Sequence, residues 1–338
     1  MGTKIAVIRH VHPANHHALS TKASLCDIAQ RYPQADLVGV EEHGEFARPA
    51  PADFASRCPA HAQILTGAEA FAAIGRVGWR GTVTHHVGVI GPNATEGRMV
   101  AQGAAVPTMV ASAHLAGGAA ILNHPEWPYC ERHPKTALSY TIPLSDARAF
   151  DAVEIFNDRG VTAHGNDPDA VLDWAERNFF TRGIAVAVVS GADDHANTER
   201  ATSPSYTLAM GDGEGSLQAQ VVRAFRSHAT YVSKEPAVDL LAYDIDRSVA
   251  LGRDGEALPA SVHSAHLSLD NLPVGGRAVV VFDGKEVSSD RYGGTTWASH
   301  LDFSMPSDRN TAYVYAKIYD SAGHLSVVTS PLWLKCSP

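Results

Sequence analysis

The residues able to do chemistry are bunched. Of eighteen histidines in 338 residues, thirteen lie in the first 200 positions. Several sit beside carboxylates or in pairs: His10-Val11-His12, Glu41-Glu42-His43, Gly67-Ala68-Glu69, His85-His86, Asn123-His124-Pro125 and Gly191-Ala192-Asp193-Asp194-His195. Neutral imidazole nitrogens and carboxylate oxygens are the ligands of zinc, manganese and iron. Two residues at i and i+2 of an extended segment share a face, so His10 with His12, and Asp193 with His195, can serve one ion from one strand. A lone histidine at a strand end is most often a structural hydrogen-bonder. The argument for a metal site is that strand end after strand end repeats the pattern. No Ser or Cys nucleophile is evident, and no G-x-S-x-G elbow occurs.

Elements must bring these groups together. Lys4 to Arg9 (KIAVIR) reads as a buried strand running into the first pair. Asp36 to Val40, Ala119 to Leu122, Ala152 to Phe156 and Ile184 to Val189 read as further apolar strands. Thr21 to Arg31 and Ala170 to Phe180 read as helices, the second with a stripe of Val171, Leu172, Trp174, Ala175 and Phe179. Alternation of strand and helix predicts an α/β domain over 1–235. In a parallel barrel the C-terminal strand ends converge on one face and form the active site. From Pro236 the texture changes to short strands such as 278–282 and 312–319, separated by Asp283-Gly284, Gly293-Gly294 and Ala322-Gly323. Alternation in AYVYAKIY puts Tyr313, Tyr315, Lys317 and Tyr319 on one face. Residues 236–338 are therefore expected to form a small antiparallel β-sandwich with a packing or oligomerisation role.

Composition narrows the partners. The chain is 45% hydrophobic and 19% charged, which excludes disorder, and its formal charge of −9 lacks the basic excess that a nucleic-acid backbone requires. No apolar run reaches the roughly 18 residues of a membrane span, and the first ten residues lack a signal-peptide core. A cytoplasmic protein, or the mature form of an exported one, is expected. Cys26, Cys58, Cys130 and Cys336 are dispersed and expected to stay reduced. The expected partner is a small-molecule substrate, with the chain a monomer or a small homo-oligomer and neither nucleic acid nor membrane involved.

The ordered set H-x-H, x-x-H, G-x-E, strand-end His-Pro and G-x-D-x-H, with VEIFN at Val153 to Asn157, resembles the PHP (polymerase and histidinol phosphatase) family over residues 4 to 235. The tail, ending AYVYAKIYDSAGHLSVVTSPLWL, is similar to the β module of the CehA/McbA-like metallohydrolase subgroup. The resemblance implies a distorted (β/α)7 TIM-like barrel followed by the β-sandwich, with two to three divalent ions (Mn, Zn or Fe). One ion would be held by His10, His12, Glu69 and Asp193. Glu69 would bridge to a second on His86 and His124. A third would take His43, His195 and His17 or His16. Two departures stand out: Glu41-Glu42-His43 replaces the usual Thr-Asp-His, and Pro13 to His17 leaves the third position open. The implied activity is a metal-dependent hydrolase using a metal-activated hydroxide, with Asp193 in the catalytic site; by position, His195, His85 or Asp194 could protonate the leaving group, and Arg159 and Trp127 could contact the substrate. Glu69 and Asp193 contribute −2 against +4 or +6 from the ions, a net positive pocket that suits a phosphoester or the oxyanion of ester, amide or carbamate hydrolysis without separating them; a small phosphoester is the preferred substrate. Uncharged esters, amides or aryl carbamates are the alternative, and a non-catalytic metal-binding protein is the third reading.

Overall fold

Ile5, Val7 and Arg9 point to one side of strand β1 (Thr3–His12), Ala6 and Ile8 to the other. The chain builds outward from this strand. The computed structural model describes residues 3–12, 30–43, 63–76, 82–91, 104–125, 138, 140–159, 167–195, 204–246, 262–304 and 311–335. The chain is mixed α/β, dominated by a large sheet. In order run β2 (Leu37–His43), β3 (Gln63–Arg76), β4 (Thr82–Ile90), α1 (Val106–Leu115), β5 (Ala119–Leu122), α2 (Leu144–Ala147) and β6 (Ala152–Asn157). Then come α3 (Pro168–Asn178), β7 (Ala187–Gly191), β8 (Asp194–His195), β9 (Tyr206–Gly211), α4 (Leu217–Arg226) and β10 (Thr230–Ser233). The remaining strands are β11 (Asp239–Asp246), β12 (Val262–Asp270), β13 (Gly276–Phe282), β14 (Lys285–Tyr292), β15 (Trp297–Ser304), β16 (Thr311–Tyr319), β17 (Leu325–Thr329) and β18 (Leu332–Lys335).

The long sheet follows the order β14-β13-β16-β17-β10-β9-β1-β2-β3-β4-β5-β6-β7. The pairs β1/β2, β2/β3, β5/β6 and β6/β7 are parallel, as strand–helix alternation predicts. The alternation breaks at β3 and β4, an antiparallel pair, because only residues 77–81 separate Arg76 from Thr82, far fewer than the dozen or so of a parallel crossover. Strand β4 then pairs antiparallel with β5 as well. Helices follow where spacing allows. In α3, Asp167 caps the backbone N–H of Asp169, Pro168 opens the first turn, and Val171, Leu172, Trp174 and Ala175 are buried. The expected Thr21 to Arg31 helix lies outside the described residues except for its helical end, Gln30 and Arg31.

One apolar cluster decides the shape. Ile5 and Val7 of β1, Leu37, Leu65, Ile90, Ile121, Ala152, Val189 of β7 and Ala209 of β9 meet in it, capped by Val221 and Phe225 of α4. Strands from both ends of the β1–β7 row touch, so this part of the sheet is curled on itself. The outer edge of β7 meets hydroxyls in place of a strand ladder: Val188 N–H donates to Ser330 Oγ (2.9 Å), Thr230 Oγ1 to Val188 O (2.9 Å) and Ser190 N–H to Thr207 Oγ1 (2.8 Å). Beyond β7, Ala192 N–H donates to Arg9 O (2.9 Å) and β8 pairs with β1.

The last third of the chain continues the same sheet, since β17 pairs with β10. A second sheet, β11-β12-β15, lies over it, with Val238, Leu240, Leu267 and Leu269 in one apolar cluster with Val280, Val314, Ala316 and Val327. Tyr313, Tyr315 and Tyr319 do share a face, and that face packs on α3: Tyr313 Oη donates to Glu176 and Tyr319 Oη to Asp169, both at 2.7 Å. Among the described residues no helix is long and apolar enough to cross a membrane.

Candidate metal centre

The face that carries the apolar cluster carries two further layers toward the C-terminal ends of the parallel strands. Stepping by two from the apolar residues leads to Arg9, Glu41, Gly67, Gly88, Asn123, Glu154 and Gly191. Of these, Arg9, Glu41, Asn123 and Glu154 are fully buried. Above them lie His10, His12, Glu69, His86, His124 and Asp193, and all but His86 are buried. Two glycines make room for the middle layer. A Cβ at Gly88 would come within 2.5 Å of Glu41 Oε2, and one at Gly191 would run into the Glu154 carboxylate. The glycine of G-x-D-x-H is thus a clearance for a carboxylate.

Period-two alternation would send His10 away from this face. The strand changes parity instead: the β1/β2 register shifts between Ile8 and Val11, and His10 takes a left-handed backbone (φ +62°). Val11 consequently packs with Ala6 and Ile8 in the outer core, while His10 and His12 turn inward. His124 (φ +25°) and Asp193 (φ +47°) are left-handed too, so three site residues occupy a region that non-glycine residues seldom visit.

Glu69 is the hub. Its Oε1 lies 2.9 Å from His10 Nε2, 2.8 Å from His86 Nδ1 and 3.2 Å from His124 Nε2, and accepts from Asn123 Nδ2 at 3.0 Å. Four nitrogens crowd an oxygen that has two lone pairs, and the buried His10 Nε2 makes no hydrogen bond there. The same nitrogen is 3.9 Å from Asp193 Oδ1, and His12 Nε2 is 3.5 Å from Glu69 Oε2 and 3.8 Å from Asp193 Oδ1. Two groups, His10–Glu69–His124 and His10–His12–Asp193, keep their donor atoms within 4.8 Å of one another. This buried donor set of imidazoles and carboxylates fits a divalent transition ion, and the groups can hold one.

The electrostatics agree. Burial pushes His10 and His124 down, but Glu69, Glu154 and Asp193 outweigh it at His10 and raise it well above its ordinary value. The bond to Glu69 brings His124 to about 9. Burial pushes the Glu69 carboxyl up, and His86 and His10 reverse this, holding it well below the carboxylate range. Burial prevails at His86, which is lowered and favours the neutral ring. A field that draws protons onto imidazoles also draws metal cations.

Of the residues singled out by sequence, His10, His12, Glu69, His86, His124 and Asp193 come together. Arg159 joins their rim, with Nη1 3.7 Å from Asp193 Oδ1 and its side chain 26% exposed. His43 is the register neighbour of Glu69 and His195 that of His12, while His85 lies on β4 opposite Ala72. The side chains of these three lie outside the described residues. His16, His17 and Trp127 lie wholly outside them. Sequence reasoning gave no role to Arg9, Glu154 or Asn157. Glu154 Oε2 is 3.1 Å from His10 Nδ1, and Glu154 Oε1 accepts from Asn157 Nδ2 at 2.8 Å. The available signal was a carboxylate inside an otherwise apolar strand, AVEIFN. Comparison with protein-family models and with curated proteins returned no match.

Proposed function

We propose that the chain is a metal-dependent hydrolase of the PHP type acting on a small phosphoester. The observation that carries this is the convergence of His10, His86 and His124 on one oxygen of Glu69, with His12 and Asp193 adjoining. Divalent ions held by His10, His12, Glu69, His86, His124 and Asp193 would supply Lewis acidity and a water acidified for attack at neutral pH. Support for a distorted (β/α)7 barrel comes from the curled β1–β7 row, the return of β8 to β1 and the placement of the polar groups at the C-terminal ends of the parallel strands.

The chain's own residues supply the rest. Of the buried carboxylates among the described residues, Glu41, Glu69, Glu154 and Asp193 sum to −4, and Arg9 returns this to −3, while burial pushes the remaining one, Asp158, up to about 7. Two divalent ions would leave +1 and Arg159 would make it +2, so the pocket retains a positive excess for an anionic substrate. Arg159, reaching Asp193 from the solvent side, stands where a phosphoryl oxygen could be clamped. His195, on β8 in register with His12, is the proposed acid for the leaving group.

The test is elemental analysis of protein purified without chelator or histidine tag, followed by phosphate mono- and diesters against aryl esters and carbamates with added manganese or zinc. Phosphoester turnover is expected. Turnover of carbamates or neutral esters alone would move the activity to that class. Metal bound with no turnover of either class would make this a metal-binding protein. Less than half an equivalent of metal, not restored by addition, would sink the reading.

A further inference from the structure

We infer that Arg9 is a positioning residue of the metal centre: one buried guanidinium, acting through Glu41, Glu154 and Asn123, holds the ligand-bearing residues in place. The inference rests on the metal-centre reading above and adds to it a device in the layer beneath. Arg9 is fully buried at the level where seven inward strand positions meet, and each of its arms ends on a different part of the site.

The first arm runs through Glu41, which faces Arg9 Nη2 at 2.9 Å and accepts the backbone N–H of His10 at 3.1 Å. The second runs through Glu154, bonded to Arg9 Nη1, which accepts the backbone N–H of His124 at 3.2 Å. Both of these histidines have a left-handed backbone, so the carboxylates Arg9 holds tie down two of the strained positions of the site. Glu154 Oε2 also lies 3.1 Å from His10 Nδ1. A carboxylate there fixes the proton on Nδ1 and leaves the Nε2 lone pair aimed at Glu69, where an ion would sit. The third arm is Asn123: its Oδ1 accepts from Arg9 Nη2, so its amide must present Nδ2 to Glu69 Oε1, at 3.0 Å. A planar fork with donors in several fixed directions can serve three acceptors together, whereas an ammonium on a flexible stem cannot hold the same angles.

A salt cluster that served only the fold would behave differently. Its disruption would lower stability while each folded molecule bound metal as before. The experiment therefore reads metal binding in folded protein. Arg9→Lys and Glu154→Gln are checked for folding by circular dichroism and gel filtration, then titrated with Co(II) against a competing chelator while the visible Co(II) absorption is recorded. Arg223→Lys, in the exposed pair with Asp212, is the control. Affinity is expected to fall about ten- to a hundredfold in both variants, with an altered visible spectrum, as when a group orienting a metal ligand is lost. Wild-type affinity and spectrum in the folded variants would overturn the inference. If Arg9→Lys does not fold, Asn123→Ala, which cuts one arm without removing a charge, is read in its place by the same criterion. A wild-type chain that binds no Co(II) would overturn the metal-centre reading itself; a binding wild type with insensitive variants would overturn only the role of Arg9.

Discussion

Glu154 lets the energetics of the buried layer be measured. Burial pushes its carboxyl up, but His10 and Arg9 more than compensate and hold it at about 2, against an ordinary 4.5. A lowered pKa in the folded state means stability that is fully present above the unfolded value and lost as pH falls from 4.5 toward 2. The difference of about 2.5 units corresponds to about 3 kcal/mol. A separate route gives the same size: removing one partner of a buried ion pair costs about 3–5 kcal/mol, because the other charge is left without compensation. Glu154→Gln keeps the shape, removes the charge and faces both Arg9 and His10 with a neutral amide. Urea unfolding of chelated protein at pH 7 is expected to show the variant about 3 kcal/mol less stable, the gap closing as the pH is lowered below 4.5. Chelation matters because a bound ion adds its own stabilisation by mass action. A gap under about 1 kcal/mol at pH 7, or one that stays constant down to pH 3, would refute the assignment of Glu154 as an ionised anchor.

His12→Ala and Asp193→Ala are expected to lose metal and activity while remaining folded; wild-type turnover in either would show the site misassigned. His10 is raised well above its ordinary value and His124 to about 9, so an ion must displace their protons. Metal affinity should then climb with pH up to about 9, and calorimetry at pH 7 in two buffers of different ionisation enthalpy should detect proton release. Equal heats in both buffers would contradict this. Gly88→Ala places a Cβ 2.5 Å from Glu41 Oε2 and 2.8 Å from Arg9 Nη2, and overpacking of this kind costs about 1–3 kcal/mol; a neutral change in urea would mean the layer is looser than its distances. Truncation after residue 235 strips β17 from β10 and Ser330 from Val188, so the first part alone is expected to aggregate or unfold. A soluble truncated chain with a cooperative transition would refute that.

How much could be read from the chain alone follows from what kind of information each feature needs. Ligand chemistry admits few residue types, and strand ends are marked by where apolar runs stop, so His10, His12, His124 and Asp193 were legible as candidates, while their grouping with Glu69 and His86, which lie inside β3 and β4, came from the family resemblance. The tail's turns were legible for the same local reason: Asp283 and Gly284 both have positive φ and join β13 to β14. The pairing of β3 with β4 was missed because a strand's direction depends on the length of its connection more than on its own composition. The inward turn of His10 and His12 needed more than the local pattern. Sharing a face was correct, but which face depends on the shift of parity between Ile8 and Val11, which the pattern KIAVIRHVH does not announce.

Arg9 marks the boundary most sharply. By sequence it is a polar residue closing an apolar strand, and nothing local distinguishes it from a residue turned to solvent. Its partners Glu41, Asn123 and Glu154 lie 32, 114 and 145 residues away. Only the curling of the sheet brings them to one level, with glycines at 88 and 191 leaving the space. Residue types and their local spacing set which atoms could bind a metal; the closed sheet decided which of them face one another, because hydrogen bonds and ion pairs need contact that only the folded chain provides.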